Sequence, residues 1–295
     1  MKDRASNAAP WLLCLPVLAL LILCFVMPLA GMARLSLNAG GGQSGFGLGG
    51  ALFEPGTWTV AAYADLLASP YFREVLWFTL WFGVAVAVVC VLIAYPLALA
   101  ISRLSPLARA LALAAIILPK LANVLVVVYG LKLMLGNAGP VNALLLWLGV
   151  IDSPVRLLNN LLGVFIGKTY LILPYTVLLL SVALARIDPE LNLAARGLGA
   201  GPLQRFVRVT LALSLPGLAT AFLVSLVFGV GAFVTPFLMG SPNQITVSVD
   251  VQRQTFENLN WPRGAAESVV MLGVLMAALG GSAGLRALAR RKDTR

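Results

Sequence analysis

The sequence predicts an all-α membrane protein with six transmembrane helices, and three observations carry that reading. Of the 295 residues, 60% are hydrophobic and only 11% charged, with a mean hydropathy of +0.94, far more apolar than a water-soluble domain. Six stretches are apolar enough to cross a bilayer, each needing about 20 residues at a rise of ~1.5 Å. Lys and Arg collect on alternate connections, the pattern of a chain that obeys the positive-inside rule.

The first stretch, Trp11 to Ala33, follows Lys2 and Arg4 and contains Pro28-Leu-Ala30, a combination similar to a secretory signal and its cleavage region. Its apolar length exceeds the about 15 residues of a signal core, so it reads as an uncleaved anchor. The later spans run Val75 to Ile101, Leu111 to Leu135, Leu161 to Ala185, Leu211 to Met239 and Ala265 to Leu288. A shorter run, Val141 to Val150, lies between Gly139-Pro140 and Ile151-Asp-Ser-Pro154. It is too brief to cross and reads as an interfacial or re-entrant helix.

With the N-terminus in the cytoplasm, Lys2, Arg4, Arg103, Arg109, Arg186, Arg196, Arg205, Arg208 and the basic tail from Arg286 to Arg295 fall inside. Only Arg34, Arg73, Arg156, Arg253 and Arg263 fall outside. The reverse topology would export the larger set, so both termini are expected in the cytoplasm. The same asymmetry accounts for the net charge of +10 without nucleic acid, since no basic and aromatic stripe stands apart from the spans.

Between the first two spans, Ala39 to Gly50 is a glycine-rich connection, flexible by composition. The chain is read as carrying no Walker-type Gly-Lys-Ser/Thr sequence and so as not binding ATP by that route. The linear organisation is an N-terminal anchor helix and extracytoplasmic loop at 1–74, a five-span core at 75–288, and a basic cytoplasmic tail at 289–295. Cys14, Cys24 and Cys90 all lie in apolar runs, where a thiol acts as a small hydrophobe rather than a ligand or disulfide partner. There is no histidine, which removes the commonest general base and metal ligand.

The most informative connection is Arg186 to Thr210. Asp188 is placed to cap a helix whose first residue is Pro189, where the missing proline donor costs nothing. Gly197 and Gly199 offer stops, and Gly201-Pro202 starts a second helix that feeds the fifth span. The product is a helix-turn-helix elbow at the membrane surface, with the small side chains of Ala194 and Ala195 leaving room for another surface.

This stretch resembles the EAA loop of binding-protein-dependent ABC importer permeases, in which Glu-Ala-Ala is followed at fixed spacing by Gly and then by aliphatic-x-Leu-Pro. Here the spacing is held by Leu193-Ala194-Ala195, Gly199 and Val209-Thr-Leu-Ala212, with Leu193 in place of the glutamate and Ala212 in place of the proline. Asp188 and the following Ser214-Leu-Pro-Gly217 match the wider pattern. The resemblance runs from the first span to Leu279 through Gly139-Pro-Val-Asn142, Leu173-Pro174, Val234-Thr-Pro236 and Asn260-Trp-Pro-Arg-Gly-Ala-Ala266. Within the superfamily these segments look most like the spermidine/putrescine branch, which also contains opine and phosphonate permeases.

The resemblance implies the type I ABC importer permease fold, with a cytoplasmic coupling helix carried by Asp188, Pro189, Leu193, Ala194, Ala195, Gly199 and Pro202. It implies an ABC ATPase dimer that docks on that elbow, a second permease subunit that is homologous but a different chain, and a periplasmic solute-binding protein. It also implies residence among the lipids of a bacterial inner membrane and alternating access as the mechanism. No cofactor is expected on this chain, ATP and Mg being used by the ATPase. Leu193 removes any charge pairing made by the glutamate and leaves the docking shape.

Inside the spans an ionisable group is costly and marks a pathway or a paired site. Lys120, behind the helix-breaking Pro119, is the deepest candidate; Lys168 is another, and Thr235 accompanies Pro236 at the close of the fifth span. Lys132 lies near a span end, where it snorkels. No carboxylate falls in mid-span, with Asp250, Glu257 and Glu267 confined to the outer loop or the start of the sixth helix. Lysines without acids suit a phosphonate or other anionic solute better than a polyamine. A secondary transporter is the alternative, and it requires intramembrane coupling-ion sites that the sequence does not supply.

Overall fold

The computed structural model describes residues 9–40, 53–54 and 56–293. Lys2, Arg4, most of the glycine-rich connection, and the side chains of Cys14 and of the basic tail lie outside the described residues. Six helical stretches in that range are long and apolar enough to cross a membrane: 15–35, 70–102, 124–147, 161–185, 202–230 and 261–281.

The chain forms two compact units, 1–73 with 250–295, and 74–249. The 75–288 segment marked off in the sequence therefore contributes to both. In the first unit, α1 (Ala9–Leu21), a π-helical turn (Ile22–Val26) and α2 (Met27–Leu35) make the N-terminal span. A two-residue antiparallel ladder, β1 (Ala39–Gly40) with β2 (Phe53–Glu54), closes the glycine-rich connection. Then α3 (Ala61–Ala68) and α2 pack on α14 (Trp261–Asp293). Arg34 is held on this surface by Asn38, the Thr57 carbonyl and the Trp58 ring, whose centroid is 3.8 Å away.

In the second unit, α4 (Pro70–Ser102), α8 (Leu161–Ala185) and α11 (Ala212–Val230) form the core. Lipid offers no hydrophobic drive between helices, so close approach and polar contacts do the joining. Where α4 meets α11, a Cβ on Gly229 would come within 2.8 Å of the Gly83 carbonyl. Where α8 meets α11, Gly217 lies against the Ala183 methyl, and Thr176 and Ser225 share a buried hydroxyl hydrogen bond of 2.8 Å.

Two of the expected spans are not single rods. Leu111 to Leu135 is α5 (Pro106–Ile117) and α6 (Val124–Leu135), parted by a 3₁₀ turn at Leu118–Leu121 and an extended Ala122. Pro119 cannot donate to the helix, and Asn123 starts α6 by accepting from the Leu125 N–H at 2.8 Å. The apolar length instead continues past a turn at Gly136–Gly139 into α7 (Pro140–Trp147). Leu211 to Met239 is likewise divided, because α11 begins from the elbow and ends at Val230, with α12 (Val234–Met239) a separate turn. Pro236 removes the donor that the Ala232 carbonyl would use in a continuous helix. The Thr246 hydroxyl, before α13 (Val247–Gln252), replaces it at 2.6 Å.

Asn142 on α7 is fully buried and makes a similar repair. Its amide donates to the carbonyls of Gly136 and Val155 and accepts from the Val155 N–H, at 3.0, 3.1 and 2.9 Å. Asn142→Ala leaves those groups orphaned, at about 1–3 kcal/mol each. We expect the thermal unfolding midpoint in detergent to fall by several degrees; an unchanged midpoint would show that water or lipid takes over these bonds.

Candidate functional site

The elbow is built as its sequence dictates. The Asp188 carboxylate accepts from the Glu190 N–H at 2.9 Å and starts α9 (Pro189–Gly197). At the other end, the Ala200 N–H reaches the Ala195 carbonyl and the Gly199 N–H reaches Arg196, both at 3.0 Å. This pair of bonds is a Schellman closure, and it places Gly199 at φ +81°. Of the two expected stops, Gly199 makes the turn, while Gly197 is the last residue of the helix. Pro202 opens α10 (Pro202–Arg205), and a π-helical stretch (Phe206–Leu211) joins it to α11 without interruption.

Leu191, Leu193, Leu198 and Leu203 are all exposed on this elbow, Leu198 to 89%. Ala194 is exposed and Ala195 half-buried between them. Inward, Ile187 and Phe206 pack on a buried cluster that includes Tyr95, Ile101, Leu180 and Leu184. Phe206 meets the Tyr95 ring edge-on at 6.0 Å, and the Tyr95 hydroxyl hydrogen-bonds Ser214 at 2.9 Å. The elbow is thus wired to both α4 and α11.

A second feature of this unit is a cavity of about 490 Å³ between α4, α5, α6 and α8. Its wall includes Lys120, Pro119, Tyr170, Pro174 and Tyr175, and Lys120 is its one charged residue among the described residues. The ammonium of Lys120 lies 4.8 Å from the centroid of the Tyr175 ring, whose plane stacks on Phe228 at 5.5 Å. The break at Pro119 is what lets a lysine reach this wall.

Of the other two expected pathway residues, Lys168 is half-buried on α8 and near enough to Lys120 for their charges to interact. It belongs to Gly167-Lys168-Thr169, a Gly-Lys-Thr sequence that corrects the reading of none; it lies inside a helix with Leu162 where the first glycine of a phosphate loop belongs, so it makes no such loop. Thr235 is buried against Gly167, with its hydroxyl unpaired. Lys168 and Thr235 are not among the residues of the cavity wall. Lys132 lies 5.7 Å from the Tyr129 ring.

The sequence reading placed Asp250 and Glu267 of the first unit in the outer loop and at the start of the sixth helix without foreseeing their burial. Asp250 and Glu267 are both fully buried. Asp250 accepts from the Tyr71 hydroxyl at 3.1 Å and Glu267 pairs with Arg263 at 3.4 Å, while Asp250 Oδ2 and Glu267 Oε2 are buried without a hydrogen-bond partner among the described residues. Burial first, against the opposing influence of Tyr71, Arg263 and Arg253, pushes the Asp250 carboxyl above its usual 3.8. The signal available beforehand was Glu267 following Arg263 by one helical turn within an otherwise apolar run.

A membrane bundle with breaks at prolines, a mostly apolar cavity carrying one lysine and two tyrosines, and a capped surface elbow fit a polytopic solute permease. The family model described as binding-protein-dependent transport system inner membrane component matches residues 91–291, and the chain belongs to that family. It is 37% identical over 221 residues to the spermidine/putrescine transport system permease protein PotB of Haemophilus influenzae, covering 75% of this chain and 77% of the relative. Identity to the PotB of Escherichia coli is 35% over 217 residues, covering 74% and 78%. A solved bacterial ABC transporter that imports the acidic polysaccharide alginate shares the fold at a TM-score of 0.71 and 19% identity, over 95% of this chain and 97% of the other. The protein is a multi-pass inner-membrane subunit of an ABC importer.

The acid pair makes a pH prediction. An acid whose folded-state affinity for a proton exceeds the unfolded one binds more protons when folded, so its effect on stability worsens as pH rises from about 4 towards the folded value. Asp250→Asn fixes the neutral state. The unfolding midpoint of the unmodified protein in detergent should therefore fall more than that of Asp250→Asn as pH rises above about 4; parallel curves would show that the Asp250 carboxyl holds its proton no more tightly folded than unfolded.

Proposed function

We propose that the elbow is the cytoplasmic coupling helix of this permease, docking on an ABC ATPase dimer that uses the ATP and Mg, with both termini on the same side. The carrying observation is the exposed leucine surface of α9 and α10 on a turn locked by Gly199. Exposed leucines at such density are costly unless another protein covers them. Leu193, in the glutamate's place, adds to this apolar surface, so docking here rests on shape rather than charge.

Closure of the ATPase dimer moves the elbow, and the continuous helix from Pro202 carries the displacement into α11. Phe206 and Ser214, both on Tyr95, carry it into α4. The cavity between α4 and α8 then opens alternately to either side. A second permease, homologous but a different chain, completes the pore, and a periplasmic binding protein delivers the solute. Such a protein accompanies the alginate importer in a second solved complex, which matches this chain at a TM-score of 0.72 and 19% identity.

The solute class that the relatives' names support is the polyamines. The lysine-based case for an anion is weakened because the Lys120 ammonium already faces a tyrosine ring. Tyrosine faces hold ammonium groups without a carboxylate. Lys120, Lys168 and Thr235 remain the pathway residues of this reading.

The test of coupling is Gly199→Val in the assembled complex. No atom lies within 4 Å of the added Cβ, so the strain comes from the backbone alone, about 1–2 kcal/mol or more for a β-branched residue at positive φ. Solute-stimulated ATPase activity should fall several-fold with normal membrane insertion, and Gly199→Asn, which tolerates that conformation, should recover most of it. Full coupling in a well-assembled valine variant would sink the assignment.

A further inference from the structure

The cavity wall contains an ammonium, an aromatic face and a proline-broken helix in one place. Lys120 Nζ sits 4.8 Å from the Tyr175 centroid. Pro174, beside it, has no N–H to give the Tyr170 carbonyl, and Tyr170 lines the same cavity. An acceptor without its helical donor, next to the negative face of a ring, is a setting made for a primary ammonium. The protein's own lysine already faces that ring.

We propose that Lys120 is a tethered competitor for the solute: its ammonium fills the Tyr175 face in the empty carrier, and an ammonium of the incoming polyamine takes its place. The proposal rests on the polyamine reading above and adds a specificity-determining residue to it. Three features of the fold fit displacement rather than fixed pairing. Lys120 stands on a 3₁₀ turn between two helices, followed by an extended Ala122, so its stem is not locked into a helix face. Among the described residues no carboxylate lines the cavity to hold it. The exchange replaces one cation with another at the ring, so the nearby charge of Lys168 opposes the bound solute there no more than it opposes Lys120.

The tether also supplies discrimination. A monovalent or weakly basic solute gains no more at the ring than Lys120 does and has nothing further with which to displace it. A polyamine brings additional ammonium groups that engage other acceptors while one takes the ring. The anion-receptor alternative makes the opposite use of the same residue, since an anion would have to draw the ammonium away from Tyr175 and would depend on its charge.

The experiment measures equilibrium binding of two probes, spermidine and methylphosphonate, to the purified complex with its ATPase and partner permease but without binding protein. The variants are Lys120→Met, Tyr175→Leu and the double variant, with spermidine uptake by the unmodified transporter as a separate control. Lys120→Met should bind spermidine about three- to tenfold more tightly, the range expected when a modest cation–π competitor is removed. Tyr175→Leu should weaken binding, and in its background Lys120→Met should have little further effect.

Unchanged or weaker spermidine binding in Lys120→Met overturns the tether, as does a full Lys120→Met gain that persists without the tyrosine ring. Spermidine uptake without measurable binding in any variant overturns the tether and leaves the polyamine reading standing. Methylphosphonate binding that disappears in Lys120→Met, with no spermidine uptake, overturns both.

Discussion

Within hydrocarbon no water takes up an orphaned backbone group, so every break in a membrane helix has to be closed by the chain itself. This constraint organises the second unit. Asn123 restarts a helix after the Pro119 break, Thr246 takes the carbonyl that Pro236 strands, and Asn142 closes the turn before α7. Asn160 caps α8 by accepting from the Gly163 N–H at 2.8 Å. Each repair fixes where a helix starts or stops, and hence where the cavity and the elbow fall. Irregular backbone is thereby confined to places that function uses.

The same economy governs the helix contacts. Thr176 with Ser225 joins α8 to α11, and Tyr95 with Ser214 joins α4 to α11. Such hydroxyl pairs in membranes contribute about 0.6 kcal/mol each on average, enough to set register and too little to freeze a bundle. A transporter that rocks between two states needs that balance. The stronger linkage is covalent, in the unbroken run from Pro202 into α11, and the elbow lies at its end.

The elbow was legible in the sequence because its signals are local: a capping aspartate, prolines at helix starts, glycines at a stop. Even the choice between Gly197 and Gly199 follows from hydrogen-bond geometry within six residues. The spans were legible as apolar lengths and Pro119 marked a break in the third, yet the interruption at Gly231 was not. A proline in a membrane helix bends it or ends it according to whether a distant residue such as Thr246 supplies the missing bond. The burial of Glu267 was not legible for the same reason, although its place at the start of the sixth helix was. Its position near the start of an apolar helix fits an exposed interfacial acid, whereas burial beside Asp250 depends on a segment seventeen residues earlier folding back on it.

Charge inside a membrane protein is therefore read from its partner, not from its sign. Taken alone, Lys120 argues for an anionic solute, and the lack of a mid-span acid strengthens that argument. In the folded chain the ammonium already has a tyrosine face, so its charge is partly spent. The buried acids meanwhile engage Tyr71 and Arg263, each through one carboxylate oxygen. Neither set presents bare charge to a passing solute. A carrier that must release what it binds gains from this arrangement, because an aromatic face with a tethered rival holds a cation less tightly than an unpaired carboxylate in a low dielectric would.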